Sequence, residues 1–185
     1  MKNFLILFFS VASFNCIAQQ SETPTTKSDT LHHKELSIEK TNFPEKCLGV
    51  WEGTMYIHYN SVLRDSVSIK FTAAKTDTVG TYIWKTKYIS PKTPMVKDYK
   101  LIVDNENIGT YLLDEGEGIQ LVTYNVNNKL YCLFKVDDIY LTSSTELINN
   151  NLVFEVTSGK QINNNQEVTS YTYTNIQRAV LHKIE

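Results

Sequence analysis

Residues 119–147 read IQLVTYNVNNKLYCLFKVDDIYLTSSTEL. Three runs rich in Val, Leu, Ile, Tyr and Thr, at 119–126, 129–136 and 139–147, are parted only by Asn127-Asn128 and Asp137-Asp138. β-branched and aromatic side chains suit a pleated surface, and paired Asn or Asp between such runs are turn signals. The stretch predicts three antiparallel strands joined by tight hairpins.

The pattern continues in both directions. Upstream, 51–59, 66–74, 80–89, 96–103 and 109–113 read as strands, and downstream 152–157 and 168–183 do. Turn-formers at 104–107, 115–118 and 149–151 separate them. No stretch carries the three-and-four spacing of a long amphipathic helix. About ten short strands must close or stack to hide their edges, so the expected fold is all-β, a single antiparallel meander β-barrel.

Alternation assigns faces. Trp51, Gly53, Met55 and Ile57 share one side of the first strand, and Glu52, Thr54, Tyr56 and His58 the other. The same parity groups Tyr82, Trp84, Thr86 and Tyr88, then Tyr99, Leu101 and Val103, then Leu130, Cys132, Phe134 and Val136, and finally Leu152, Phe154 and Val156. A wall of this kind, apolar with scattered phenols, suits a small hydrophobic or amphipathic molecule. The candidate contacts are Met55, Tyr82, Trp84, Tyr88, Tyr99, Phe134 and Arg178. The alternative is a barrel filled by its own side chains, a structural or interaction module of the cell envelope with Tyr56, Tyr131 and Tyr171 outside.

The N-terminal residues read as an address. Lys2 precedes the apolar run 4–12, and Cys16-Ile17-Ala18 offers a small-residue cleavage site before Gln19. The run is too short to span a bilayer. The expected organisation is a signal peptide at 1–18, a flexible polar segment at 19–45 and the barrel at 46–185, exported to the periplasm or outside the cell. Cys16 could alternatively carry a lipid anchor, although Ser13-Phe14-Asn15 matches a lipidation site poorly.

Charge and motifs narrow the chemistry. The net charge of -2 provides no field for nucleic acid. Cys47 and Cys132 allow either a disulfide or two separate buried thiols. His32-His33 lies in the polar segment, and Asp114, Glu115 and Glu117 with Asp137-Asp138 occupy turns, so no metal site is expected. No spacing typical of hydrolysis, phosphoryl transfer or cofactor chemistry occurs, and the sequence reads as a binding protein without cofactor, not an enzyme.

With Gly49-Val50-Trp51-Glu52-Gly53 in front and Gln177-Arg178-Ala179-Val180-Leu181 behind, the chain resembles the calycin superfamily over residues 47–184. It looks most like bacterial lipocalin-like secreted proteins, through Tyr82-Ile83-Trp84 and Asp114-Glu115-Gly116-Glu117-Gly118-Ile119 as well. The resemblance implies a barrel closed by Gly49, Trp51 and Arg178, with the guanidinium over the indole, and a role in carrying small hydrophobic molecules. Arg178 could instead face inward and hold a ligand carboxylate, as last-strand arginines do in fatty-acid-binding relatives. His182 is similar in place to the iron ligand of nitrobindin-like haem proteins, but the further glycines and Tyr-Pro of their front motif are missing after Gly53.

Overall fold

The paired asparagines act as the sequence implies. Asn127 and Asn128 take φ of 51° and 64°, and Asn149 and Asn150 take 49° and 60°. Left-handed backbone at both central positions matches the right-handed twist of the flanking strands, so each pair reverses the chain without splaying them. Asn60 and Ser61, at 49° and 63°, turn the first hairpin in the same way.

The computed structural model describes residues 43–91, 93–162 and 169–184. Residues 1–18, expected to be a signal peptide and including Cys16, lie outside them, as does His32-His33. One helical turn, α1 (Phe43–Lys46), precedes β1 (Gly49–Tyr59), β2 (Val62–Lys75), β3 (Thr81–Ile89), β4 (Met95–Asn105), β5 (Thr110–Gly116), β6 (Ile119–Val126), β7 (Lys129–Val136) and β8 (Ile139–Ile148). β9 (Asn151–Ile162), β10 (Ser170–Tyr171) and β11 (Asn175–Lys183) complete the order. The last predicted strand, 168–183, is therefore two, because β10 pairs with β9 alone while β11 sits between β9 and β1.

Consecutive strands from β1 to β9 pair antiparallel, and β11 joins β9 back to β1. The result is a closed ten-stranded antiparallel barrel. Closure leaves none of these ten strands as a free edge. Among the described residues no helix is long and apolar enough to cross a membrane.

The interior has two halves. At the end where β1 begins, Phe43, Cys47, Trp51, Met55, Ala73, Tyr82 and Ala179 are buried in one cluster. α1 lies across this end. Phe43 is 0% exposed and Pro44 is buried, so the polar segment expected to run to 45 yields its last residues to the barrel. Polar contacts fasten the turn at its rim: Tyr82 donates its hydroxyl hydrogen to Glu45 Oε1 at 2.8 Å, Lys75 pairs with Glu45 Oε2 at 2.8 Å, and Lys46 Nζ donates to Asn128 Oδ1 at 3.0 Å.

Trp51 is the centre of the closed end. It is 2% exposed, and its indole N–H donates to the Cys47 carbonyl at 2.8 Å. The cation over its ring is Lys183, whose Nζ lies 5.6 Å from the centroid, and not Arg178. Antiparallel register explains the correction. Trp51 faces Lys183 across the β1–β11 pair, whereas Arg178 faces Tyr56. Gln177, Ala179 and Leu181 are buried, which turns Arg178 and His182 to the outer face.

Candidate functional site

Beyond the packed end the side chains do not fill the barrel. A cavity of about 1230 Å³ extends from the Ile69, Phe71, Trp84 and Leu101 layer toward the opposite end. Ser90, Pro91, Thr93 and Pro94 of the β3–β4 connection and Glu117 of the β5–β6 turn line its outer part, so it reaches the surface there. Its size exceeds the roughly 300–1,000 Å³ of typical ligand sites.

Period-two alternation on each strand delivers the lining. β3 contributes Trp84, Thr86 and Tyr88, β4 Lys97, Tyr99 and Leu101, β5 Leu113 and Glu115, β7 Leu130, Cys132 and Phe134, and β9 Leu152, Phe154 and Val156. Trp84 meets Phe71 edge to face, with centroids 4.9 Å apart, a favoured aromatic geometry. The register sets Trp84 beside Tyr99, Thr86 beside Lys97 and Tyr88 beside Met95.

Burial governs the titratable groups. It pushes the Tyr88 phenol up to about 12. Tyr99 also rises, first through burial and then through the negative charge of Glu115. Both phenols remain protonated donors at neutral pH. Burial pulls Lys97 below the usual lysine value, with Glu115 acting in the opposite direction. Lys97 Nζ rests 5.6 Å from the centroid of the Tyr99 ring. Cys132 is raised by burial, and Thr123 and Ser143 partly offset this.

Of the candidate contacts, Trp84, Tyr88, Tyr99 and Phe134 line the cavity. Met55 is 0% exposed within the packed end, and Tyr82 is spent on Glu45. Arg178 lies outside, pairing with Glu155 at 3.4 Å, and cannot reach an interior carboxylate. His182 is outside as well, its Nδ1 2.7 Å from Asn151 Oδ1. Cys47 and Cys132 are both free thiols. Sequence reasoning overlooked Lys97 and Glu115 as interior groups. Lys97 shares the parity of Tyr99 and Leu101, which was the available signal, but its charge suggested solvent.

No family model matches the chain, and no curated protein sequence does. Solved structures do. An S-type phycobiliprotein lyase from Guillardia theta superposes with a TM-score of 0.57 at 8% identity, covering 77% of this chain and 91% of that one. Rv2717c from M. tuberculosis aligns at 12% identity with a TM-score of 0.46, covering 78% and 99% of the two chains. A variant of the fluorescent protein UnaG aligns at 16% identity with a TM-score of 0.47, covering 76% and 99%. The first of these corrects one expectation. A lyase shares the fold, so the missing hydrolase and phosphotransfer motifs do not make this barrel a non-enzyme. Its architecture is that of a calycin-like, lipocalin-like barrel.

Proposed function

We propose that the barrel takes up one small hydrophobic or amphipathic molecule through the open end, holding it against Trp84, Tyr88, Tyr99 and Phe134. The cavity of about 1230 Å³ carries this reading, because a barrel serving only as a scaffold gains by filling its interior. Each ligand methylene buried there contributes about 0.8 kcal/mol, and the protonated phenols supply directional hydrogen bonds. The phycobiliprotein lyase named above, which shares this fold, is compatible with the reading. We further propose export to the periplasm or the cell exterior through residues 1–18, as in bacterial lipocalin-like secreted proteins.

Titration of the purified protein with N-phenylnaphthylamine tests the site. Saturable fluorescence enhancement is expected, weakened at least about tenfold by Ser143→Phe, which places a ring into the cavity. Enhancement that does not saturate, or is indifferent to this change in a folded variant, overturns the reading. Native mass spectrometry of material from its own host, followed by organic extraction, then identifies what is bound.

A further inference from the structure

Two side chains of opposite charge stand on adjoining inward rows of the cavity, Lys97 of β4 and Glu115 of β5. Lys97 lies one pleat from Tyr99, with Thr86 as its register neighbour on β3, and its amine rests 5.6 Å from the centroid of the Tyr99 ring. Glu115 follows Asp114, whose register partner is Lys100, so it comes alongside Tyr99 from the neighbouring strand. The two charges therefore meet at one tyrosine. Among the described residues neither forms an ion pair within 4.0 Å, with the other or with any third group.

A charge taken into an apolar cavity ordinarily has an opposite charge in contact to offset its lost hydration. The aromatic face beneath the amine and the carboxylates that share the cavity favour the ammonium form of Lys97. Tyr88, diagonal to Lys97 across the β3–β4 pair, has a hydroxyl that makes no hydrogen bond among the described residues. The other acids of the lining are placed differently. Asp98 is neutralised by Lys85 at 2.6 Å, and Asp65 accepts the Ser66 backbone N–H at 2.7 Å. Asp65 and Glu117 are both exposed, where water and salt screen them. Lys97 and Glu115 thus present an uncompensated pair of charges to whatever occupies the cavity.

We propose that the cavity selects amphipathic molecules whose head carries an ammonium and a carboxylate together, the ligand carboxylate meeting Lys97 and the Tyr88 hydroxyl, and the ligand ammonium meeting Glu115. This rests on the reading of the barrel as a ligand-binding site. A fatty carboxylate would attract Lys97 but bring its own charge against Glu115, and a fatty amine would attract Glu115 but repel Lys97. A head bearing both charges is attracted at both places, so the pair rewards the zwitterion and penalises either single charge. An α-amino acid carries the two charges on one carbon, which suits two side chains that share one tyrosine. Its aliphatic chain would run inward over Trp84, Leu101 and Phe154.

Displacement of N-phenylnaphthylamine from the whole protein at neutral pH compares three molecules of one chain length, 2-aminododecanoic acid, dodecanoic acid and dodecylamine. The amino acid is expected to bind roughly tenfold tighter than either singly charged molecule, as one added charge-assisted hydrogen bond implies. Lys97→Met should reverse the order in favour of dodecylamine, and Glu115→Gln should reverse it in favour of dodecanoic acid. A wild type that binds dodecanoic acid or dodecylamine as tightly as the amino acid overturns the proposal, as does a preference that either substitution leaves unchanged in a folded variant. Should a variant fail to fold, the wild-type order still decides. Absence of N-phenylnaphthylamine binding to the wild type would instead refute the ligand-binding reading itself; binding without preference for the amino acid refutes only the assignment of the head group.

Discussion

Replacing Trp51 by Ala tests how the barrel is closed. The indole is 2% exposed and packs in the cluster with Phe43, Cys47 and Met55. Truncating a buried aromatic costs about 3–5 kcal/mol. The change also removes the donor to the Cys47 carbonyl, so the upper half of that range is expected. Trp51→Phe separates the two contributions, keeping most of the apolar ring and losing the N–H, at about 1–2 kcal/mol. Arg178→Ala supplies the contrast. The guanidinium and its Glu155 partner are 53% and 37% exposed, and such a pair contributes about 0–1 kcal/mol. For a domain of this size each kcal/mol moves Tm by about 3–4 °C, so Trp51→Ala should fall by roughly 12–20 °C and Arg178→Ala by less than about 4 °C. Urea unfolding followed by circular dichroism gives the same quantities, provided the m-value is unchanged. A Trp51→Ala cost below about 1 kcal/mol, or equal losses for the two alanine variants, refutes the assignment of Trp51 as the buried closure and Arg178 as a surface group.

Other predictions follow from the same geometry. A Cβ at Gly53 would stand 2.3 Å from the Val180 carbonyl oxygen and 2.9 Å from Leu181 Cδ2, so Gly53→Ala should cost about 1–3 kcal/mol by denaturant melt; a neutral result contradicts this close approach. Glu45 is held below the usual carboxylate range by Lys75 and then Tyr82. Its lowered folded pKa stabilises the protein above the unfolded glutamate value and ceases to do so as pH falls, so the advantage of wild type over Glu45→Gln should shrink below about pH 4.3. An advantage that grows on acidification would reverse the sign of that linkage. Burial pushes the Cys47 thiol in the packed end up to about 12, so iodoacetamide at pH 8 should not label it until urea is added. Rapid labelling of Cys47 in the native protein, located by peptide mapping, would contradict the packed end.

Strands, hairpins and the inner face were legible because each is a local property. Two asparagines between alternating runs can do little but turn, and the parity of 82–88, 99–103 and 130–136 is a consequence of the pleat. The packed end was only partly legible. Phe43 and Pro44 belong to a stretch whose average composition is polar, and an average conceals two apolar residues that α1 buries. The role given to Arg178 failed because it came from a resemblance, and the register between β1 and β11 sets Lys183, not Arg178, beside Trp51. The alternation of Gln177, Ala179 and Leu181 had already marked 178 as outward.

By itself the sequence determined an all-β chain of short antiparallel strands with an apolar, phenol-bearing inner face, since hydrophobic alternation and turn chemistry act between residues a few positions apart. Tertiary structure alone decided which cation meets Trp51, how far α1 fills one end, and that a cavity with Lys97 beside Glu115 remains at the other. Those outcomes depend on the register between β1 and β11 and on the volume enclosed by ten strands, both of which arise only when residues far apart in the chain are brought together.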